Sequence, residues 1–132
     1  MSEKANRYSK SKLPLLQNQE TCNFQGYNTG TLMKETSKLR ELITKRRTFE
    51  ILIPLCCSVD PVRYMTFRKS MKGFSSKTLA SRLKELEKGG ILDRQYYNEI
   101  PPRVEYRLTQ KGQELVESII YLLEWMKKWS NK

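Results

Sequence analysis

Residues 73–91 read GFSSKTLASRLKELEKGGI, and this stretch decides the fold. Ser75 carries the short hydroxyl side chain of a helix N-cap, and Gly89-Gly90 supplies the left-handed positions at which helices commonly stop. Between them Leu79, Leu83 and Leu86 fall at i, i+4 and i+7, so one stripe of a helix over Ser76 to Lys88 faces a core. Lys77, Ser81, Lys84 and Lys88 project from the opposite side, a face with donors and no acids. Glu85 and Glu87 lie on the flanks, and Arg82 sits at the border of the apolar stripe.

Upstream, Met65 to Lys72 reads as a compact helix bearing Phe67 and Met71 and closed by Gly73, with Pro61-Val62-Arg63-Tyr64 before it as a short extended piece. Downstream, Ile91 to Tyr97 and Arg103 to Leu108 predict a β-hairpin about the tip Asn98-Glu99-Ile100-Pro101-Pro102. Thr109 then caps a final helix from about Gln110 to Lys128, whose terminal Lys127-Lys128 complements the helix dipole. Nearer the start, helical spacing tightens from Met33 through Leu39, Leu42 and Ile43. The basic run Lys45-Arg46-Arg47 follows, and then the apolar run Phe49 to Leu55, where Pro54 kinks the helix or marks its start. Two short helices joined by a tight glycine-containing turn, then a two-stranded hairpin, predict a winged helix-turn-helix. The fold class is mainly α with a small β-hairpin wing (α+β), ending in a long C-terminal dimerisation helix at about 109–129.

A chain of 132 residues with 38% apolar content has room for one modest core. The expected domain spans 34–132. Residues 1–33 are rich in Ser, Asn, Gln and Lys and read as a polar N-terminal arm, partly disordered or docking through Leu15-Leu16. Lys and Arg total 25 against 14 acids, a formal charge of +11, which suits a polyanionic partner. Met1 to Lys12 lacks the apolar centre of a signal peptide and no later segment could span a membrane, so a cytoplasmic protein with no membrane partner is expected. The three cysteines, Cys22, Cys56 and Cys57, suit a reducing compartment better than a disulfide scaffold. With no histidine, a mixed Cys/His zinc site is impossible, and no metal or other cofactor is expected. No phosphate-binding glycine loop precedes a helix and no spaced carboxylate pair stands out, so no catalytic residues are assigned and an enzyme is not expected.

In a winged helix-turn-helix the second helix enters the major groove of double-stranded DNA. Ser76, Lys77, Thr78 and Ser81 are therefore the base-facing candidates, with Arg82 able to fork onto guanine or phosphate. Lys84 and Lys88 are placed for phosphate, Arg94 and Arg103 flank the wing, and Ser75 and Arg63 complete the DNA-facing set. Tyr96, Tyr97 and Tyr106 read as packing residues. Lys45-Arg46-Arg47 fits equally a phosphate contact or a solvated turn between helices.

Apolar residues cover well over half the circumference of the final helix, too wide a face for one surface helix on a small domain. A homodimer is the economical explanation, its interface drawn from Leu115, Ile119, Leu122, Leu123, Met126 and Trp129. The competing explanation is a pocket for a small-molecule effector lined by Trp125, Met126 and Trp129. Two other functions compete with operator binding: a thiol-responsive regulator using Cys56 and Cys57, and a basic interaction module for RNA or an acidic protein without operator specificity.

The residues Arg63-Tyr64, Gly73 to Leu79, Arg82-Leu83-Lys84-Glu85-Leu86, Gly90-Ile91, Pro101 to Tyr106 and Leu108-Thr109 resemble the HxlR family of winged-helix transcriptional regulators, with PPRVEYRLT the most specific string. The resemblance runs from about Leu39 to Trp129. It implies a cytoplasmic homodimer that binds pseudo-palindromic operators, with the terminal and first core helices forming the seam, and it adds weight to Ser75, Lys77 and Arg82. Two departures stand out. Cys22 lies much further upstream of Ile43 than the cysteine many members use as a thiol switch, and the family's usual Gly-Gly-Lys-Trp segment is replaced by Thr44-Lys45-Arg46-Arg47.

Overall fold

A computed structural model describes residues 23–131, in two compact units, 1–41 and 42–132. The Leu15-Leu16 pair and Cys22 of the expected arm lie outside the described residues. In the first unit, β1 (Asn23–Phe24) and β2 (Tyr27–Asn28) pair antiparallel around Gln25 and Gly26, whose φ angles of 51° and 86° make the two-residue turn that matches strand twist. Asn28 then accepts a hydrogen bond from the Thr31 amide at 3.1 Å and starts α1 (Thr29–Glu35), followed by α2 (Ser37–Ile43). Helix thus begins before Met33, where the apolar spacing first shows it. The cap sets the start, and it leaves no mark in hydrophobic periodicity.

The second unit carries α3 (Thr48–Cys56), β3 (Val62–Arg63), α4 (Tyr64–Ser70), α5 (Ser76–Lys88), β4 (Leu92–Tyr97), β5 (Arg103–Leu108) and α6 (Gln110–Trp129). Pro54 lies in the last turn of α3, so the helix neither starts there nor continues far past it; the missing N–H removes a late hydrogen bond and the helix ends at Cys56. The strands form one antiparallel sheet in the order β3-β5-β4. The hairpin register runs from Leu92 opposite Leu108 to Tyr97 opposite Arg103, and β3 adds Val62 opposite Tyr106.

One apolar cluster joins these elements. Ile51 and Leu52 from α3, Phe67 from α4, Leu79, Leu83 and Leu86 from α5, Ile91 and Leu92 at the start of the hairpin, and Val116 and Ile119 from α6 are all buried. The Phe67 ring meets Tyr106 edge-on, centroids 6.2 Å apart, so a tyrosine of the wing packs into the centre as its spacing predicts. At the base of the hairpin the chain backbones nearly touch. A Cβ at Gly112 would stand 2.2 Å from the carbonyl oxygen of Ile91, so only glycine lets the first turn of α6 close on the loop after α5. Thr109 locks the same junction: its hydroxyl accepts from the Gly112 amide at 3.0 Å and donates to the Gly90 carbonyl at 2.5 Å. The architecture is a winged helix-turn-helix, mixed α+β, with a long C-terminal helix.

Candidate nucleic-acid interface

The site is built on α5. Ser75 caps it by accepting from the Thr78 amide at 3.0 Å, and the Ser75 hydroxyl donates to Thr78 Oγ1 at 2.8 Å. Gly73, at φ 81°, makes the tight turn that brings α4 into α5. With its leucines sunk in the core, α5 turns Ser76, Lys77, Ser81, Lys84 and Lys88 to solvent, and none of these lysines has an ion-pair partner among the described residues. The face expected from spacing is therefore assembled as a surface of uncompensated cations and hydroxyls.

Arg82 sits differently. Its Nη1 lies 3.6 Å from Glu85 Oε2, its side chain is 23% exposed, and its Nε is buried with no hydrogen-bond partner. Glu85 in turn receives a hydrogen bond from Lys45 Nζ at 2.8 Å. That bond, the Lys45 charge and the Arg82 charge hold the Glu85 carboxyl below its ordinary value against the opposing effect of burial. Arg82 thus has a structural partner on its own helix, and the helix is tied to the turn before α3. The link to Lys45 is not visible in the sequence, because Lys45 and Glu85 are 40 positions apart; the Arg82 pair, at i,i+3, is a local spacing that could have been read.

The wing divides its arginines. Arg94 is exposed on β4, its guanidinium 5.8 Å from the centre of the Tyr96 ring and close enough to the Tyr106 hydroxyl to offset in part the upward push of burial on that phenol. Arg103 is held inward: it stacks at 4.2 Å over Tyr97 and pairs with Glu99 at 3.3 Å and Glu105 at 3.4 Å. Arg63 stands 3.9 Å from the same Glu105 but remains well exposed. Arg103 therefore clamps the proline tip, while Arg63 and Arg94 keep outward-facing charge.

A second basic feature adjoins the start of α5. Arg46, Arg47, Gly73, Phe74, Ser75, Thr78 and Arg82 line an open hollow of ≈ 290 Å³. Spacing left Arg46 and Arg47 undecided, and nothing local in the sequence signals that the turn before α3 folds against the turn before α5.

On α6, Ile119 is buried and Leu115 and Leu123 pack against the core. Of the residues expected at a dimer seam, Leu122, Met126 and Trp129 are the exposed ones, joined by Ile120, Tyr121 and Trp125. The apolar face is real, but its centre lies one helical edge away from Ile119. Among the described residues no helix is long and apolar enough to cross a membrane.

Comparison with known proteins agrees with this geometry. Residues 42–132 match the model of the HxlR-like helix-turn-helix family. The HTH-type transcriptional regulator YtfH of Escherichia coli is 33% identical over 105 residues, 77% of this chain and 82% of its own. The solved structure of a transcriptional regulator ytfH from Salmonella typhimurium superposes with a TM-score of 0.63 at 33% identity, covering 70% of this chain and 80% of that one. The reduced form of the transcriptional regulator YodB from B. subtilis gives 0.62 at 32% identity, covering 72% and 91%. With its second unit falling wholly inside the matched region, the chain belongs to the HxlR-like helix-turn-helix family.

Proposed function

We propose that this chain is a sequence-specific double-stranded DNA-binding transcriptional regulator that works in the cytoplasm as a homodimer and catalyses no reaction. The observation that carries the reading is the solvent face of α5, where Lys77, Lys84 and Lys88 stand unpaired beside Ser76 and Ser81 on a helix fixed by buried leucines. A rigid helix of this kind presents donors to base edges near its start and cations to phosphate along its length. Lys77, Ser76 and Ser81 are assigned to bases, Lys84 and Lys88 to backbone, and Arg63 and Arg94 to phosphates beside the wing. Thr78 and Ser75, bonded to each other, position the helix start, and Arg82 and Arg103 serve first through their carboxylate partners.

The homodimer rests on Tyr121, Leu122, Trp125, Met126 and Trp129, which α6 leaves exposed along one side. Two-fold DNA readers place paired helices in major grooves about 34 Å apart, and a seam on the terminal helix supplies that symmetry. A thiol switch has less support. Burial, then the neighbouring Cys57, push the Cys56 thiol above its ordinary value, which disfavours the reactive thiolate.

Binding to the duplex upstream of the protein's own gene, against a scrambled duplex at about 0.15 M salt, tests the reading. A preference of about a hundredfold that shrinks in Lys77→Ala is expected, with sedimentation reporting two copies per duplex. Equal weak binding to every genomic duplex tried would instead identify a basic interaction module.

A further inference from the structure

The hollow beside α5 belongs to none of the contacts assigned above. It is rimmed by three guanidinium groups from two separate segments: Arg46 and Arg47 from the turn before α3, and Arg82 from the second turn of α5. Arg46 is exposed and has no ion-pair partner among the described residues. Arg47 is held in place. It donates to the Lys72 carbonyl at 3.5 Å, and its guanidinium lies 5.4 Å from the centre of the buried Phe74 ring. Glu85 is engaged by Lys45 and Arg82, and the lining of the hollow carries three arginines and no acid.

Such a cluster repels itself, and only an anion relieves it. Planar guanidinium groups that converge on one open space fit a tetrahedral oxyanion better than a carboxylate-bearing side chain, because several oxygens can be met from different directions. The hydroxyl of Thr78, which accepts from Ser75, still has its own proton to donate on this side. The geometry points to the hollow as a seat for one backbone phosphate of bound DNA, gripped by Arg46 and Arg47 with Arg82 behind them. The inference rests on the DNA-binding reading of α5 and adds to it an anchor whose two leading arginines come from the turn before α3, outside both reading helix and wing. Its role is register. A phosphate fixed at the start of α5 sets how far along the groove Lys77 and Ser81 reach, without reading sequence itself.

The test compares the full-length protein with Arg46→Ala, Arg47→Gly and the double variant, on the preferred and the scrambled duplex, from about 0.05 to 0.3 M salt. Glycine is chosen at position 47 because Arg47 has φ 68°, which glycine adopts without strain. Each variant is expected to weaken both duplexes equally, by about three- to tenfold at 0.15 M salt, and to flatten the slope of log affinity against log salt by about 0.9 for the lost phosphate. Arg47→Lys, which keeps the charge, should retain most of the slope, and melting temperatures should stay level.

Unchanged affinity and slope in the double variant would overturn the anchor, as would a loss confined to the preferred duplex. A rise in melting temperature with inorganic phosphate that the double variant abolishes, without any change in duplex binding, would show a small-anion pocket instead. Failure of operator reading is separable: a wild type with no preference between duplexes sinks that reading, while the scrambled duplex still reports the anchor. Binding to no duplex at the lowest salt sinks both.

Discussion

The two longest helices, α5 and α6, are built alike and face different worlds. Both start at a hydroxyl cap whose side chain accepts from the N3 amide at 3.0 Å, and both sink one stripe into the same core. They differ most in what the far side carries. On α5 it is lysine and serine, on α6 tyrosine, leucine, tryptophan and methionine. The buried stripes explain why each helix forms and stays. The opposite stripes dictate the partner, a polyanion for one and an apolar surface for the other, so folding and recognition are separable along each helix.

Replacing one residue on each kind of face breaks that separation most sharply. Leu83→Ala leaves a cavity in a site with no exposure and should lower unfolding free energy by about 3 kcal/mol in urea titration, with DNA binding lost as a consequence. Trp125→Glu alters an exposed side chain and should change the stability of the monomer by less than about 0.5 kcal/mol. Its effect belongs to assembly: the dimer dissociation constant, read by sedimentation, should rise by at least about thirtyfold. If Trp125→Glu unfolded the chain without changing assembly, the two faces of α6 would not be separable.

The caps look equivalent and are not. Ser75 bonds only within its own helix start, whereas Thr109 also donates to the Gly90 carbonyl and so joins α6 to the end of α5. Ser75→Ala should cost about 1 kcal/mol and Thr109→Ala about 2 kcal/mol by thermal or urea unfolding. Equal losses would mean that the second bond of Thr109 contributes nothing to stability.

The same contrast explains what the sequence made legible. Leucine spacing, Ser75, Thr109 and the glycines are local signals, and from them came α5, α6, the hairpin and the face of Lys77, Ser81, Lys84 and Lys88. What escaped depends on contacts between distant residues. The strand Val62–Arg63 pairs with β5 across more than 40 positions, and Lys45 reaches Glu85 across a similar gap. Arg82 and Arg103 are the exception: their partners Glu85, Glu99 and Glu105 are near in sequence, and the spacing could have marked both as cations already partnered. On α6, Ile119 and Ile120 are adjacent and chemically identical, and only the packed core decides that the first is inside and the second outside. The short β1–β2 hairpin has too few residues for alternation to show.

The smallest effect separates the two helices electrostatically. Among the described residues only α5, of the two helices, carries a carboxylate held by a cation of another segment, Glu85 with Lys45. The Lys45 hydrogen bond lowers the Glu85 carboxyl from its ordinary value of 4.5 in the folded chain, so the unfolded chain takes up the proton first as pH falls. The stabilisation is therefore complete above about pH 4.5 and disappears as pH drops through the lower folded value. Both side chains are about one-third exposed, at 34% and 32%, so solvent screens the pair. Its worth is about 0.5 kcal/mol at low salt. Glu85→Gln should consequently be less stable than wild type by that amount at neutral pH, with the gap narrowing as pH falls below about 4.5 and as salt is added. A gap that persisted into acid would mean that Glu85 acts through packing rather than charge, and would remove the electrostatic tie between the basic turn and α5.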